Sequence, residues 1–140
     1  MKYICDGPRR QTWFRLENLV EAEQESAAMD HKVAKYFQRS WEQAQASFKP
    51  ASDRYIEQDI GRAAHVQRAM PLFLTLRAHD GAPLVTAMLP PGGDSQAGFQ
   101  VIIVGRSNID PYPEHGEAIR MLGAHFGVTL DREHCYPYRR

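Results

Sequence analysis

The chain reads LFLTLR at residues 72–77 and LVTAML at residues 84–89, with Asp80-Gly81 between the two segments. Asp-Gly suits the positive φ angles of a two-residue type I′ turn, so the segments are predicted to form an antiparallel hairpin. The resulting register places three pairs on one face: Leu76 with Val85, Leu74 with Ala87, and Leu72 with Leu89. The other face carries Arg77 with Leu84, Thr75 with Thr86, and Phe73 with Met88. We expect the wholly apolar first face to pack against helices, and the mixed face to be less buried.

The segment FQVIIV at residues 99–104 predicts a third strand, since five of its six residues are apolar and four are β-branched. A continuous apolar run is typical of an interior strand that is covered on both faces. The preceding residues 90–98, PPGGDSQAG, predict a surface loop. We therefore expect the Leu72–Leu89 hairpin and the Phe99–Val104 strand to form the centre of the sheet.

The N-terminal third predicts a second hairpin followed by one long helix. KYIC at residues 2–5 and TWFRL at residues 12–16 are typical of strands, and Asn18 with Glu21 forms the pattern of a capping box. Apolar residues then recur at helical spacing as far as Phe48, with Glu25 off that stripe. A helix of about 30 residues would be about 45 Å long. It therefore either bends or packs its far half on another subunit.

Two aromatic residues on this helix, Tyr36 and Trp41, lie off the apolar stripe. Exposed aromatic surface of this kind predicts a homodimer interface, and the alternative is a wide buried face within one subunit.

Two further helices are predicted. The middle one would begin at Ser52 or Asp53 and end at Met70, with a break near Gly61 as an alternative. Its apolar face is Ile56, Ile60, Ala63 and Ala64. The C-terminal helix should begin at Pro113 and end before Gly127. Residues 128–130 would form a last short strand, followed by a tail. The prediction is a single α+β domain over residues 1–140, with an antiparallel sheet of four to six strands.

Composition restricts the function classes. Seventeen basic and seventeen acidic residues balance, and no basic stripe is present, which argues against nucleic-acid binding. Two cysteines form no disulfide framework, so we expect a reducing compartment. Neither a signal peptide nor an apolar window of roughly 18 residues is evident, so the protein is predicted to be soluble and cytoplasmic, without a membrane partner.

The sequence contains few signs of chemistry. His115, His125, His134 and Cys135 lack metal-ligand spacing, and there is no G-x-S-x-G, P-loop or C-x-x-C, so no metal, cofactor or catalytic residue is predicted. The turn between the third strand and the last helix does carry polar groups that could bind a small ligand. These are Arg106, Ser107, Asn108 and His115.

Two functional hypotheses follow from these features. The first is a non-catalytic association module that acts as a homodimer through Tyr36 and Trp41. The alternative is a small-molecule-binding protein or enzyme with a pocket at the Arg106–His115 turn.

Overall fold

The computed structural model describes residues 1–50, 54–94 and 99–136, which form an antiparallel sheet with helices on both faces. The strands are β1 (Lys2–Asp6), β2 (Thr12–Arg15), β3 (Leu72–Arg77), β4 (Pro83–Leu89) and β5 (Ile102–Val104). The helices are α1 (Leu19–Met29), α2 (Val33–Ala46), α3 (Tyr55–Ala69) and α4 (Tyr112–Phe126). The strand order is β1-β2-β3-β4-β5, with each neighbour antiparallel. The structure confirms the predicted α+β class.

The central hairpin keeps its predicted register but reaches it by a different turn. Leu72–Leu89, Leu74–Ala87, Thr75–Thr86 and Leu76–Val85 pair as predicted. The turn, however, has three residues: the Ala78 N–H donates to the Ala82 carbonyl at 2.9 Å, and Gly81 lies at φ 89°. Arg77 consequently pairs with Pro83, and not with Leu84 as predicted. Leu84 is the extra residue of a β-bulge, which restores the register that the longer turn had shifted by one.

Both faces of the sheet are buried, which corrects the prediction of a less buried mixed face. Leu74, Leu76 and Val85 pack with Ile119 and Leu122 of α4. On the other face, Phe73 packs with residues of α1, α2 and α3. Thr75 and Thr86 are also buried on this second face. The prediction failed because α1 and α2, which cover this second face together with α3, come from sequence segments far from the hairpin.

The predicted long helix is two helices, α1 and α2, and this is a correction. The capping box is confirmed at its start, where the Glu21 N–H donates to Asn18 Oδ1 at 2.9 Å. Asp30 adopts a left-handed conformation, with φ 52°, and its N–H donates to the Ser26 carbonyl. The bend at Asp30 lets both helices pack on one face of the sheet. Of the two alternatives for the long helix, the structure therefore shows the bend. Met29 and Val33, on either side of Asp30, are buried.

Strand β5 lies at the edge of the sheet, and not in its interior as predicted. Among the described residues of this segment, Ile102–Val104 pair with β4, and residues 99–101 precede the strand. The outer side of β5 is partly covered by the chain end, where the Tyr136 N–H donates to the Val101 carbonyl at 2.8 Å. The predicted strand at residues 128–130 is absent from the described chain. The segment predicted as a tail instead contains a 3-10 turn at Arg132–His134 and the buried Cys135.

Helices α3 and α4 differ in how well they match prediction. Helix α4 ends as predicted, with Gly127 at φ 71°. Helix α3 is continuous through Gly61, so the alternative of a break near this residue is wrong; the missing side chain there gives room to the Phe48 ring. The predicted capping residues, Ser52 and Asp53, lie outside the described residues.

The apolar face predicted for α3 does not face the core. Ile56 and Ile60 are 75% and 66% exposed, whereas Val66 and Met70 are buried. The buried side chains of this helix therefore lie in its C-terminal half, where it contacts α2. No helix within the described ranges is both long enough and apolar enough to cross a membrane.

Candidate functional site

A groove lies between the α1–α2 junction and the edge strand β5. We call it the junction groove, and it has a volume of about 540 Å³. Its lining residues are Asp30, His31, Lys32, Tyr36, Ile102, Val104, Asn108 and Tyr136. A smaller recess of about 60 Å³ shares six of these residues and adds the apolar side chains of Val33, Phe73 and Met88. The groove thus combines an apolar floor with a few polar groups, as ligand sites do.

Residues with a left-handed backbone conformation are concentrated at this groove. Asp30, Ser107 and Asn108 have φ angles of 52°, 54° and 60°, and the only other non-glycine residues with positive φ in the described ranges are Arg9 and Arg10. The Ser107 hydroxyl donates to Asp30 Oδ2 at 2.7 Å, which ties the two strained turns together. Such conformations cost of order 1–3 kcal/mol each and are typical of functional sites.

A buried hydrogen-bond network supports the groove from below. The Thr86 hydroxyl donates to Glu25 Oε2 at 2.6 Å, and His31 Nε2 lies 2.8 Å from the same hydroxyl oxygen. Since the hydroxyl proton is used on Glu25, His31 Nε2 must carry a proton and donate it to Thr86. His31 Nδ1 then accepts from the Val33 N–H at 3.4 Å. The network therefore fixes the ring of a groove residue in one tautomer.

The other end of this network is an ion pair. Arg77 donates to Glu25 Oε1 at 2.6 Å, to Thr75 Oγ1 at 3.0 Å and to the Gly81 carbonyl at 3.3 Å. Glu25 is fully buried, although its position off the apolar stripe predicted a surface residue. A buried carboxylate is retained only where a charge and hydrogen bonds compensate it, and here Arg77 and Thr86 supply both.

His31 should make the stability of the protein sensitive to acid. Burial lowers the pKa of His31 below its ordinary value of 6.5, although Glu25 and Asp30 act in the opposite direction. The unfolded chain therefore binds a proton that the folded chain resists, so stability falls as pH drops below about 6.5. We expect His31→Gln to flatten the dependence of the unfolding free energy on pH between 7 and 5, as measured by urea denaturation.

The control for this experiment is His134→Gln, because His134 is exposed. Burial also lowers the pKa of His115, so the His31 variant should keep part of the slope. An unchanged slope in His31→Gln would contradict the assignment.

The structure brings only some of the sequence-predicted ligand residues to this groove. Asn108 lines it, and Ser107 contacts it through Asp30. Arg106 is exposed and is not among the lining residues. His115 lies in the first turn of α4, with Nε2 3.8 Å from Glu114 and with Arg9 nearby, and it does not line the groove.

The two aromatic residues predicted for the interface line different surfaces. Tyr36 lies in the junction groove, whereas Trp41 lines a second groove of about 280 Å³ between α2, α3 and β2. They are five residues apart, about 140° around the helix, so one contact cannot centre on both. Their side chains are 44% and 41% exposed.

The thiols and the acidic or imidazole side chains offer no obvious reactive centre among the described residues. Burial raises the pKa of Cys5 to about 11 and also raises that of Cys135, which disfavours the reactive thiolate. Within residues 1–50, 54–94 and 99–136, no three His, Cys, Asp or Glu side chains form a group that could hold a metal ion.

Sequence reasoning missed four polar or aromatic groove residues, Asp30, His31, Lys32 and Tyr136, and it assigned Ile102 and Val104 only to a buried strand. The one available signal was the excessive length of the predicted helix, which required a bend but did not locate it. Comparison with known proteins adds no further assignment, since no protein-family model, curated protein or solved structure matches the chain significantly.

Proposed function

We propose that the junction groove binds a small anion with a planar apolar body. The observation that carries this proposal is the convergence of Lys32, Asn108 and two tyrosine rings around an apolar floor of Ile102 and Val104. Its volume of about 540 Å³ is within the range of roughly 300–1,000 Å³ that is typical of small-molecule sites.

Each part of the ligand corresponds to a part of the groove. The half-exposed rings of Tyr36 and Tyr136 can pack on a planar body at low entropic cost. Lys32 supplies a positive charge at the start of α2, where the helix dipole also favours an anion. Asp30 is the opposing charge, and one of its oxygens already accepts the Ser107 hydroxyl.

The rigid supports of the groove strengthen the proposal. Binding residues need a fixed geometry, and the Glu25–Thr86–His31 network fixes the groove wall from the core. The left-handed residues at Asp30, Ser107 and Asn108 are held by hydrogen bonds on two separate chain segments. This cost in backbone energy is explained if the two turns must present particular groups to a ligand.

The test is an NMR titration of the ¹⁵N-labelled protein with 2-naphthoate, a planar aromatic carboxylate, and with the neutral 2-naphthamide. We expect 2-naphthoate to shift the amide signals of Lys32, Ile102 and Asn108. Lys32→Gln should weaken its binding about fivefold, because a partly exposed ion pair contributes up to about 1 kcal/mol. Binding of 2-naphthamide should be equal in both proteins.

Lys35→Gln is the matched control, since Lys35 is an exposed lysine one turn further along α2 that does not line the groove. It should leave both affinities unchanged. Shifts centred on Trp41, or equal losses for the two lysine variants, would refute the site.

We also propose that the protein associates as a homodimer. The observation in favour is the solvent-exposed apolar face of α3, where Ile56 and Ile60 are 75% and 66% exposed. Light scattering at micromolar concentration should then give about twice the chain mass of 16.0 kDa. A mass of one chain throughout this range would refute association.

A further inference from the structure

Helix α3 presents an exposed, largely apolar stripe beside its buried face. Ile56, Ile60, Ala63 and Gln67 follow one another at steps of four, three and four residues, so they share one face of the helix. All four are exposed. The buried residues of the same helix and its end, Val66 and Met70, face the core beneath.

This stripe is continuous with the groove that contains Trp41. Ala63 and Gln67 line that groove, and Trp41 forms part of its opposite wall on α2. The apolar surface therefore extends from Ile56, across Ala63, to the ring of Trp41. A contiguous surface of this kind is typical of an interface and not of scattered surface residues.

Charges beside the stripe favour a second copy of the same helix as the partner. Glu57 and Arg68 are exposed and 11 residues apart, which is three turns to within about 20°, so both lie on one flank of the stripe. In an antiparallel pair of α3 helices, Glu57 would face Arg68 of the partner subunit, and the reverse pair would form by symmetry. The same alignment places Ile60 level with residue 65 of the partner subunit, so that it lies between residues 63 and 67 of the partner's stripe.

We propose that α3 forms the homodimer interface, packed antiparallel to α3 of a second copy across a two-fold axis. This inference rests on the homodimeric association proposed above. It adds the surface, the orientation of the helices and the ion pairs that set their register. A two-fold contact of this kind buries the same exposed apolar surface twice.

The first test is the mass of variants by light scattering at micromolar concentration. Ile60→Glu places a charge at the centre of the stripe and should give a monomer of about 16.0 kDa with an unchanged circular dichroism spectrum. Val20→Glu is the matched control, since Val20 is an apolar residue of α1 with similar exposure, 62%, and this variant should remain a dimer.

The second test examines the orientation by exchanging charges. Glu57→Arg and Arg68→Glu should each weaken the dimer at least tenfold in Kd, because each sets like charges opposite one another. The double variant should return to within about threefold of the wild type. Loss of the Arg54–Glu57 ion pair, at 3.3 Å, is common to the Glu57 variant and the double variant, so recovery must come from pairing across the axis.

The outcomes separate the surface from the association itself. A dimer that survives Ile60→Glu and is dissociated by Trp41→Glu would refute the α3 interface and keep the homodimer. A dimer that is lost in both single charge variants and not recovered in the double variant would refute the antiparallel arrangement. A wild-type monomer would refute both proposals.

Discussion

Replacement of Glu25 by alanine should lower the free energy of unfolding by about 3–5 kcal/mol, the range expected when one partner of a buried ion pair is removed. The Glu25 side chain is 0% exposed and its Arg77 partner is 17% exposed, so the guanidinium would be left without its hydrogen-bonded counter-charge and largely without water. Thr86 would also lose the acceptor of its hydroxyl proton.

Urea denaturation measures this effect, with Glu23→Ala as the control. Glu23 lies on the same helix and is exposed, so its replacement should change stability by less than about 0.5 kcal/mol. Glu25→Gln keeps the size and one acceptor oxygen, and it should fall between the two. The double replacement Glu25→Met with Arg77→Met should be much less destabilising than Glu25→Ala, since no unpaired charge remains. Equal losses for Glu25→Ala and Glu23→Ala would show that the pair is not buried in solution.

Replacement of Leu74 by alanine should cost about 2–5 kcal/mol, because it removes methyl groups from a fully packed site. Leu74 is 0% exposed and lies at the centre of the sheet, opposite Arg15 on β2 and Ala87 on β4. Neighbouring strands on both sides prevent the backbone from closing the cavity.

The control for Leu74 is Leu84→Ala. Leu84 is the bulged residue and is only partly buried. The Leu84→Ala substitution should therefore lower the urea midpoint clearly less than Leu74→Ala does, at an unchanged m-value. Thr75→Ala is also informative, because Thr75 is buried and accepts a hydrogen bond from Arg77. Thr75→Ala should lower the free energy of unfolding by less than Leu74→Ala does, but by more than a surface substitution. Equal effects at Leu74 and Leu84 would contradict the packing described for the α4 face.

Local features of the fold could be predicted because their causes are local. The pairing of β3 with β4 follows from alternation around a turn, the start of α1 follows from Asn18 and Glu21, and the end of α4 follows from Gly127. Each of these features is determined by residues within a few positions of one another.

Other features depended on contacts that are distant in sequence. The bend at Asp30 contains neither glycine nor proline, and the periodic pattern continues through it. Glu25 resembles a surface residue until Arg77 and Thr86, which lie 52 and 61 residues away, are placed beside it. The edge position of β5 likewise follows from strand order, which no local pattern contains.

The candidate site was predicted only in part, for the same reason. The turn at Ser107 and Asn108 was recognised as a place where a ligand could bind, and Asn108 lines the groove. The opposite wall, at Asp30, His31 and Lys32, is contributed by a segment 77 residues earlier, as the Ser107–Asp30 hydrogen bond shows. A local sequence pattern can therefore indicate one wall of such a site, whereas the opposite wall is brought next to it only when the chain folds.

The three-residue turn and the bulge at Leu84 also show where the hairpin can change in length. A two-residue turn can close the same pair, Ala78 with Ala82, so a residue can be removed from the turn without changing the partners of β4. Loss of Leu84 would leave Arg77 opposite Pro83 and Leu76 opposite Val85, because the bulged residue has no partner of its own. A deletion inside residues 85–89, in contrast, would turn the side chains beyond it to the opposite face of the sheet, so natural changes in length are expected at the turn or at residue 84.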